Sequence, residues 1–209
     1  MADSRPRLLA SDLEGVLVPE IWIAFAEKTG IEQLRLTTRD VSDYDQLMQM
    51  RLKILKERNL RLQDIQEVIA TISPLPGAGQ FIDWIRERAQ VVILSDTFYE
   101  FAKPLMAQLG YPTILCHSLE VDAVGSITGY RLRLDESKRK AISAFRDLKF
   151  QTLALGDSYN DIAMLKRADV GVLFDPPANV VEDHPDLPVV RNYCEAQSII
   201  GEWLLDRGE

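Results

Sequence analysis

Apolar runs that alternate with helical patterns cover most of this chain. The first run begins at Leu8 and ends abruptly on Asp12, which predicts a buried strand whose end leaves the sheet. A second run, at 91–94, is apolar on both faces, as is typical of a central parallel strand. The pattern predicts further strands, the first two of them a candidate hairpin, at 113–121, 127–134, 152–155, 169–174 and near 189.

Stretches with helical spacing of apolar side chains separate these strands. From Gly77 onwards the spacing predicts helices at 78–88, 98–109, 136–149, 162–167 and 195–206. Pro104 lies inside the second of these and either kinks the helix or restarts it. Because strands and helices alternate, we expect an α/β fold with a doubly wound, Rossmann-like parallel sheet.

The segment between the first two strands is different, since its pattern is helical throughout. Three helices are predicted there, at 20–30, 44–55 and 62–72. Pro74-Leu75-Pro76-Gly77 then breaks the helical pattern. We therefore expect a small helical cap, inserted after the first strand of an α/β catalytic core, with the cap at 18–73 and the core at 1–17 and 74–209.

Polar side chains follow three of the predicted strands at the point where each strand ends. They are Asp12 with Glu14, Ser95, and Asp157 with Asp161. The carboxyl ends of parallel strands share one edge of a sheet, so we expect these groups to converge. The helix near 138 can add a lysine to the same place.

Such a convergence of acids has a chemical consequence. Two carboxylates about 4 Å apart repel each other by roughly 4 kcal/mol at an effective dielectric constant near 20, so several together require a cation. Oxygen ligands favour a hard ion, and Mg²⁺ suits a site shared with a phosphate. A carboxylate nucleophile, a magnesium ion, a lysine and a hydroxyl are the groups that phosphoryl transfer through an aspartyl-phosphate requires.

Composition narrows the classes of partner. The chain has 209 residues, 46% of them hydrophobic and 27% charged, and its formal net charge of -8 argues against nucleic acid and anionic membranes as partners. No apolar run reaches the length of a membrane span, and residues 1–6 are not typical of a signal peptide. Cys116 and Cys194 have no metal-site or disulfide spacing, so we expect free thiols in a reducing cytoplasm. The oligomeric state stays open, with a homodimer as one alternative.

The ordered motifs resemble those of the haloacid dehalogenase-type phosphatase superfamily over nearly the whole chain. They are Asp12-Leu-Glu14-Gly, Ser95, the Lys138 region and Gly156-Asp157-Ser-Tyr-Asn160-Asp161. The helical insertion between the first two motifs resembles the helical cap of the phosphoserine phosphatase branch. The segments at 12–22 (DLEGVLVPEIW) and 93–101 (ILSDTFYEF) resemble the bifunctional phosphoserine phosphatase/homoserine phosphotransferase family.

The resemblance implies how the motif acids act. Asp12 would attack phosphorus and become phosphorylated, while Glu14 would protonate the leaving oxygen and later deprotonate the attacking water or alcohol. Mg²⁺ would be held by Asp12, Asp157 and the backbone carbonyl of Glu14. Asp161 would not bind the metal directly and would act through a metal-bound water or by orienting Lys138.

The resemblance also implies a binding site for phosphoserine. Ser95, Lys138 and Asn160 would contact the phosphoryl oxygens. Glu20 would bind the substrate ammonium and Arg51 its carboxylate, which suits a fork-shaped guanidinium. Three of these assignments have a simpler alternative: Lys140 in place of Lys138, a solvated helix face for Arg51, and a first-turn acid for Glu20.

Two departures from the wider superfamily and two alternative functions belong with this interpretation. Glu14 stands where the superfamily usually has Asp, and Asp96-Thr97 follows Ser95 where plain phosphoserine phosphatases usually have two glycines. Asp96 would add negative charge beside an anionic substrate unless it points away. The alternatives are a phosphotransferase to an amino-acid alcohol such as homoserine, and a phosphatase of another small phosphorylated metabolite.

Overall fold

A single sheet organises the protein, whose computed structural model describes residues 5–37, 40–41 and 43–205. Within those residues the sheet has seven strands: β1 (Arg7–Ser11), β2 (Gln90–Phe98), β3 (Thr113–Val121), β4 (Ile127–Arg131), β5 (Gln151–Gly156), β6 (Val170–Phe174) and β7 (Val189–Val190). Their spatial order is β4-β3-β2-β1-β5-β6-β7, and only the β3–β4 pair is antiparallel. The predicted α/β fold with a mostly parallel sheet is therefore confirmed.

Helices occupy both faces of this sheet and the segment between β1 and β2. They are α1 (Ile21–Thr29), α2 (Tyr44–Glu57), α3 (Leu62–Ile69), α4 (Ala78–Arg86), α5 (Tyr99–Gln108), α6 (Ser137–Asp147), α7 (Ile162–Arg167), α8 (Ala178–Asp183) and α9 (Tyr193–Leu205). Short 3₁₀ helices lie at Glu32–Arg35 and Tyr159–Asp161. Every described helix is too short or too polar to span a lipid bilayer.

The side chains of β1 explain why the sheet is covered on both sides. Leu9 packs in one apolar cluster with Phe81 of α4 and Ile200 of α9. Leu8 packs in a second cluster with Ile142 of α6. Successive residues of a strand point to opposite faces, so a run that is apolar on both faces needs a helix layer on each side.

The helices between β1 and β2 pack against the β3–β4 hairpin. Tyr44 at the start of α2 makes an edge-to-face contact with Tyr130 of β4. The backbone N–H of Leu62 donates to the carbonyl of Gly125 in the hairpin turn at 2.9 Å. The same apolar cluster continues from these helices to the sheet, and the division into a cap at 18–73 and a core stays a prediction.

Several predicted bounds differ from the structure. The predicted strand at 91–94 continues to Phe98, and the third helix of the inserted segment ends at Ile69. The predicted strand at 127–134 ends at Arg131. The pattern predicts no helix after Pro176-Pro177, but α8 begins there at Ala178, because proline without an N–H is compatible with a helix start.

Candidate active site

The carboxyl ends of three neighbouring strands form one edge of an open cavity of about 860 Å³. The backbone N–H of Asp12 donates to the carbonyl of Leu155 at 2.9 Å, so the ends of β1 and β5 lie side by side. Asp12, Ser95 and Asp157 all line this cavity. Residues far apart in the sequence therefore meet where the parallel sheet predicts.

Lys138 lies among the acids at this edge. Its side chain is only 3% exposed, and its Nζ lies 2.8 Å from Asp161 Oδ1, 3.0 Å from Asp12 Oδ1 and 3.6 Å from Asp96 Oδ2. Burial acts to lower the pKa of Lys138, but the three carboxylates outweigh it and raise the pKa, so the ammonium stays charged. Lys140 is exposed and 3.8 Å from Asp135, which favours Lys138 as the phosphate lysine.

Asp12, Asp157 and Asp161 are close enough to share one cation, with a carboxylate oxygen of each within 4.8 Å of the others. Asp161 is already engaged, because its Oδ1 accepts from Lys138 and its Oδ2 accepts from the backbone N–H groups of Asp157 and Ser158 at 3.0 and 3.3 Å. Oδ1 of Asp12 is engaged as well, by Lys138 and by the backbone N–H of Leu13 at 2.7 Å, so Asp157 and the second oxygen of Asp12 are the groups available to a metal. This arrangement agrees with the interpretation in which Asp161 orients Lys138.

The electrostatics of these acids favour a bound cation. Burial and the neighbouring Asp161 raise the pKa of Asp157 to about 7. Burial and Asp161 also raise the pKa of Asp12, although Lys138 opposes them. Full ionisation of the cluster is therefore costly in the protein alone, and a divalent ion would remove that cost.

Gly15 allows Asp157 to approach β1 so closely. Its φ of 77° lies in the left-handed region, and a Cβ placed on it would lie 2.4 Å from Oδ2 of Asp157. Any other residue would be strained and would also collide with that carboxylate. The glycine of the first motif is thus required by the geometry of the acid pair.

The side chain of Glu14 extends from the segment after β1 to the start of α1 and lines the cavity. Its Oε2 accepts a hydrogen bond of 2.8 Å from the backbone N–H of Ile21. Desolvation and repulsion from Glu20 raise the pKa of Glu14 to about 8. A carboxyl group with this pKa is protonated near neutral pH and can serve as a general acid.

Arg51 of α2 is 6% exposed and faces the cavity. Its guanidinium stacks on the ring of Trp22 at 4.4 Å and donates to the carbonyl of Leu36 at 2.8 Å. Its buried Nε has no hydrogen-bond partner among the residues that the structure describes. This burial disfavours the solvated-face alternative. Glu20 is exposed at the rim of the same cavity, so the structure brings both predicted substrate residues to it.

Ser95 and Asn160 also line the cavity, and the side chains of both form hydrogen bonds within the protein. The buried Ser95 hydroxyl accepts from the backbone N–H of Thr97 at 3.2 Å. Asn160 donates from Nδ2 to Asp96 Oδ2 at 3.0 Å. Asp96, which raised the question of charge beside an anionic substrate, is thus directed towards Asn160 and Lys138.

Sequence reasoning assigned no role to His117, which lies in this network. The side chain is 5% exposed, with Nε2 3.5 Å from Asp96 Oδ1. Nothing in the spacing of His117 along the chain indicates this contact. The placement of Asp96 directly after Ser95 was the available signal.

The whole arrangement can be compared with known proteins. The haloacid dehalogenase-like hydrolase family matches residues 6–169. This chain belongs to that family. Its acids at the ends of β1 and β5 and its buried lysine on α6 therefore lie in a hydrolase of this family.

Relatives within the family are close. Phosphoserine phosphatase ThrH of Pseudomonas aeruginosa is 60% identical over 182 residues, which cover 87% of this chain and 89% of that protein. A phosphoserine phosphatase of Pseudomonas syringae pv. tomato is 59% identical over 184 residues, covering 88% of this chain and 78% of that protein. A crystal structure of an apo phosphoserine phosphatase has the same fold, with a TM-score of 0.75, 21% identity and coverage of 94% and 98% of the two chains.

Proposed function

We propose that this chain hydrolyses phosphoserine in the presence of Mg²⁺ through a phosphorylated Asp12. The observation that carries the proposal is the ion pair of Lys138 with Asp12, adjacent to Asp157 and open to a cavity that Arg51 also lines. The names of the relatives that are 60% and 59% identical support phosphoserine as the substrate.

The residues present fit a magnesium ion. Asp12, Asp157 and the backbone carbonyl of Glu14 would hold it, since they offer only oxygen atoms, which Mg²⁺ prefers. When bound, the ion would neutralise charge on the acids and on the phosphoryl oxygens. The raised pKa of Asp157, to about 7 through burial and Asp161, supports a site that is incomplete without positive charge.

In the first step an oxygen of Asp12 forms a bond to phosphorus as the bond from phosphorus to the serine oxygen breaks. Glu14 gives its proton to that leaving oxygen, and serine departs as the neutral alcohol. Lys138 stays protonated and stabilises the charge on the transferring phosphoryl group. The pKa of Glu14, raised to about 8 by desolvation and Glu20, supports its role as the acid.

In the second step a water molecule attacks the phosphorus of phospho-Asp12. Glu14, now ionised, takes a proton from the water, and the bond between Asp12 and phosphorus breaks to release inorganic phosphate. An alcohol in the place of water would instead become phosphorylated. The resemblance of segments 12–22 and 93–101 motivates homoserine as that alternative acceptor.

The two ends of the amino acid would be bound by the inserted helices. Arg51 would pair with the carboxylate. Its buried Nε has no partner within the described part of the chain, which supports a ligand that completes its hydrogen bonding. Stacking on Trp22 would hold the guanidinium in place. Glu20 would bind the ammonium group. A cytoplasmic location and a homodimer stay predictions from the sequence.

A panel of phosphorylated metabolites with and without Mg²⁺ tests this proposal. We expect phosphate release from phosphoserine with Mg²⁺ and none after Asp12→Asn. With homoserine added, ³¹P NMR would detect phosphohomoserine if the acceptor is an alcohol. Turnover of sugar phosphates but not of phosphoserine would contradict the substrate, and full activity of Asp12→Asn would contradict the mechanism.

Arg51→Gln tests the substrate carboxylate site separately. Loss of a hydrogen-bonded charge pair costs roughly 1.5–3 kcal/mol, so we expect KM for phosphoserine to rise about 10- to 100-fold. Lys53→Gln is the matched control, since Lys53 lies on the same helix with its side chain 75% exposed. Hydrolysis of p-nitrophenyl phosphate, which has no carboxylate, should change little in either variant. An equal rise in KM for both variants would contradict the assignment.

A further inference from the structure

His117 of β3 is held in one orientation by the chain that follows β4. Its Nδ1 accepts a hydrogen bond of 3.0 Å from the backbone N–H of Arg133. The neutral imidazole therefore carries its proton on Nε2, which lies 3.5 Å from Asp96 Oδ1. The buried ring thus presents a donor to Asp96 and cannot offer an acceptor there.

Asp96 in turn contacts two side chains that face the phosphoryl site. Its Oδ2 accepts from Asn160 Nδ2 at 3.0 Å and lies 3.6 Å from Lys138 Nζ. The hydroxyl of Ser137 lies 3.5 Å from Oδ1. Burial acts to raise the pKa of Asp96, but Lys138, His117 and Asn160 hold it well below its usual range, so the carboxylate is ionised.

The need for His117 follows from the exposure of Asp96. The Asp96 side chain is 38% exposed, so water competes for its carboxylate. Without the imidazole, Oδ1 would keep the 3.5 Å contact with the hydroxyl of Ser137, which rotates freely, and the carboxylate could turn towards solvent. Lys138 would keep Asp12 and Asp161 as partners if that happened. Asn160 is an exposed residue and would lose the acceptor of its Nδ2 group.

We propose that His117 and Asp96 are positioning residues for phosphoryl transfer: His117 orients Asp96, and Asp96 orients the amide of Asn160 and the ammonium of Lys138 towards the phosphoryl group. This inference rests on the proposed function for the identity of the transferred group. Neither side chain needs to touch the substrate. The negative charge of Asp96 is unfavourable beside an anionic substrate, but Asp96 offsets this effect by orienting two donors, Asn160 and Lys138.

Two amide substitutions separate the hydrogen bond of His117 with Arg133 from its contact with Asp96. Asparagine places a polar atom where Nδ1 lies and can keep the bond to Arg133, but it does not reach Asp96. Glutamine reaches the position of Nε2 and can keep a donor to Asp96. His117→Asn and His117→Gln are thus a matched pair, in which only the first removes the contact that the inference requires.

We expect His117→Asn to lower kcat for phosphoserine about tenfold, the size of one hydrogen bond to a charged group, with KM changed less than threefold. His117→Gln should keep at least about a third of the wild-type kcat. Asp96→Ala should lower kcat at least as far as His117→Asn. The double variant His117→Asn/Asp96→Ala should have a kcat no lower than that of Asp96→Ala alone, because His117 acts only through Asp96.

Equal losses of kcat in His117→Asn and His117→Gln would overturn the proposal, as would a further loss in the double variant. Circular dichroism melting of each variant identifies one that does not fold. In that case the pair Asp96→Ala and Asn160→Ala decides, because the effect of Asp96→Ala on kcat should be smaller when Asn160 is already removed and the contact with Lys138 is what remains to be lost. A full effect of Asp96→Ala in that background would contradict the role of Asn160.

Failure of the proposed substrate can be told apart from failure of this inference. A wild-type protein that does not hydrolyse phosphoserine would overturn the substrate alone. The same variants are then compared with p-nitrophenyl phosphate and Mg²⁺, which needs only the phosphoryl machinery. Slower hydrolysis by Asp96→Ala and His117→Asn than by His117→Gln would still support the inference. Equal rates of hydrolysis in all three variants would overturn it.

Discussion

The ammonium group of Lys138 lies among three carboxylates and is almost wholly withdrawn from water. Its contacts with Asp12 and Asp161, at 3.0 and 2.8 Å, place one positive charge between a candidate nucleophile and a buried acid. Removal of one partner of a buried ion pair leaves the other charge uncompensated and costs about 3–5 kcal/mol. Lys138 should therefore matter for stability as well as for catalysis.

We predict that Lys138→Ala lowers kcat/KM for phosphoserine by about 10²- to 10³-fold, as removal of one stabilising donor in an active site does. Lys140→Ala, two positions along α6, should have a kcat/KM close to that of wild type. Lys140 is exposed, and its 3.8 Å contact is with Asp135, which is exposed as well. Steady-state kinetics with Mg²⁺ measure both. Comparable losses in the two variants would reject the assignment of Lys138.

At this scale the sequence identifies strand-end residues but not the network behind them. Asp12, Ser95 and Asp157 could be placed together because parallel strands end at one edge. The contact between Asp96 and His117 depends on a register shift between β2 and β3, where the pairing moves from Leu94–Leu115 to Phe98–His117. A bulge of this kind leaves no mark in the alternation of apolar residues.

At the scale of elements, the ends of strands and helices were harder to predict than their existence. β2 continues through Ser95-Asp96-Thr97, because backbone pairing with β3 extends beyond the apolar run. The polar residues at this end of β2 line the cavity and are not part of the apolar core. A prediction from the apolar run therefore ends the strand too early. The same three residues belong to the strand and line the candidate active site.

The start of α2 supports a prediction about stability. Asp43 caps this helix, since its side chain accepts from the backbone N–H of Gln46 at 3.0 Å. Asp43→Ala should lower the free energy of unfolding by about 1 kcal/mol, whereas asparagine is an equally good N-cap. For a chain of this size we expect a fall in Tm of about 2–4 °C, measured by thermal melting. The same Tm in Asp43→Ala and Asp43→Asn would contradict the cap.

At the scale of the whole molecule, the fold was the most predictable feature and the domain division the least tested. The regular alternation of strands and helices, with right-handed connections, leaves few arrangements for a parallel sheet. The inserted helices share an apolar cluster with the sheet, so packing alone does not separate them. Convergence of acids from β1 and β5 at one edge follows from the topology, so we expect global stability to depend on cation binding.

Metal binding should therefore stabilise the entire protein. Mg²⁺ at a hundredfold excess over its dissociation constant should add about 2.7 kcal/mol to the free energy of unfolding. This corresponds to a rise in Tm of roughly 5–10 °C, measured by calorimetry before and after EDTA treatment. An unchanged Tm on EDTA treatment of the magnesium-loaded protein would contradict a metal site between Asp12 and Asp157.

Asp157→Asn supplies the control and fixes the sign of the pH dependence. Because burial and Asp161 raise the pKa of Asp157 to about 7 in the folded state, from 3.8, its ionisation destabilises the metal-free protein progressively as the pH rises through that interval. In EDTA the variant should gain stability relative to wild type at pH 8 compared with pH 4, and it should lose most of the response to Mg²⁺. A variant that responds to Mg²⁺ as strongly as wild type would show that Asp157 does not belong to a cation site. The same relative stability at both pH values would contradict the raised pKa of Asp157.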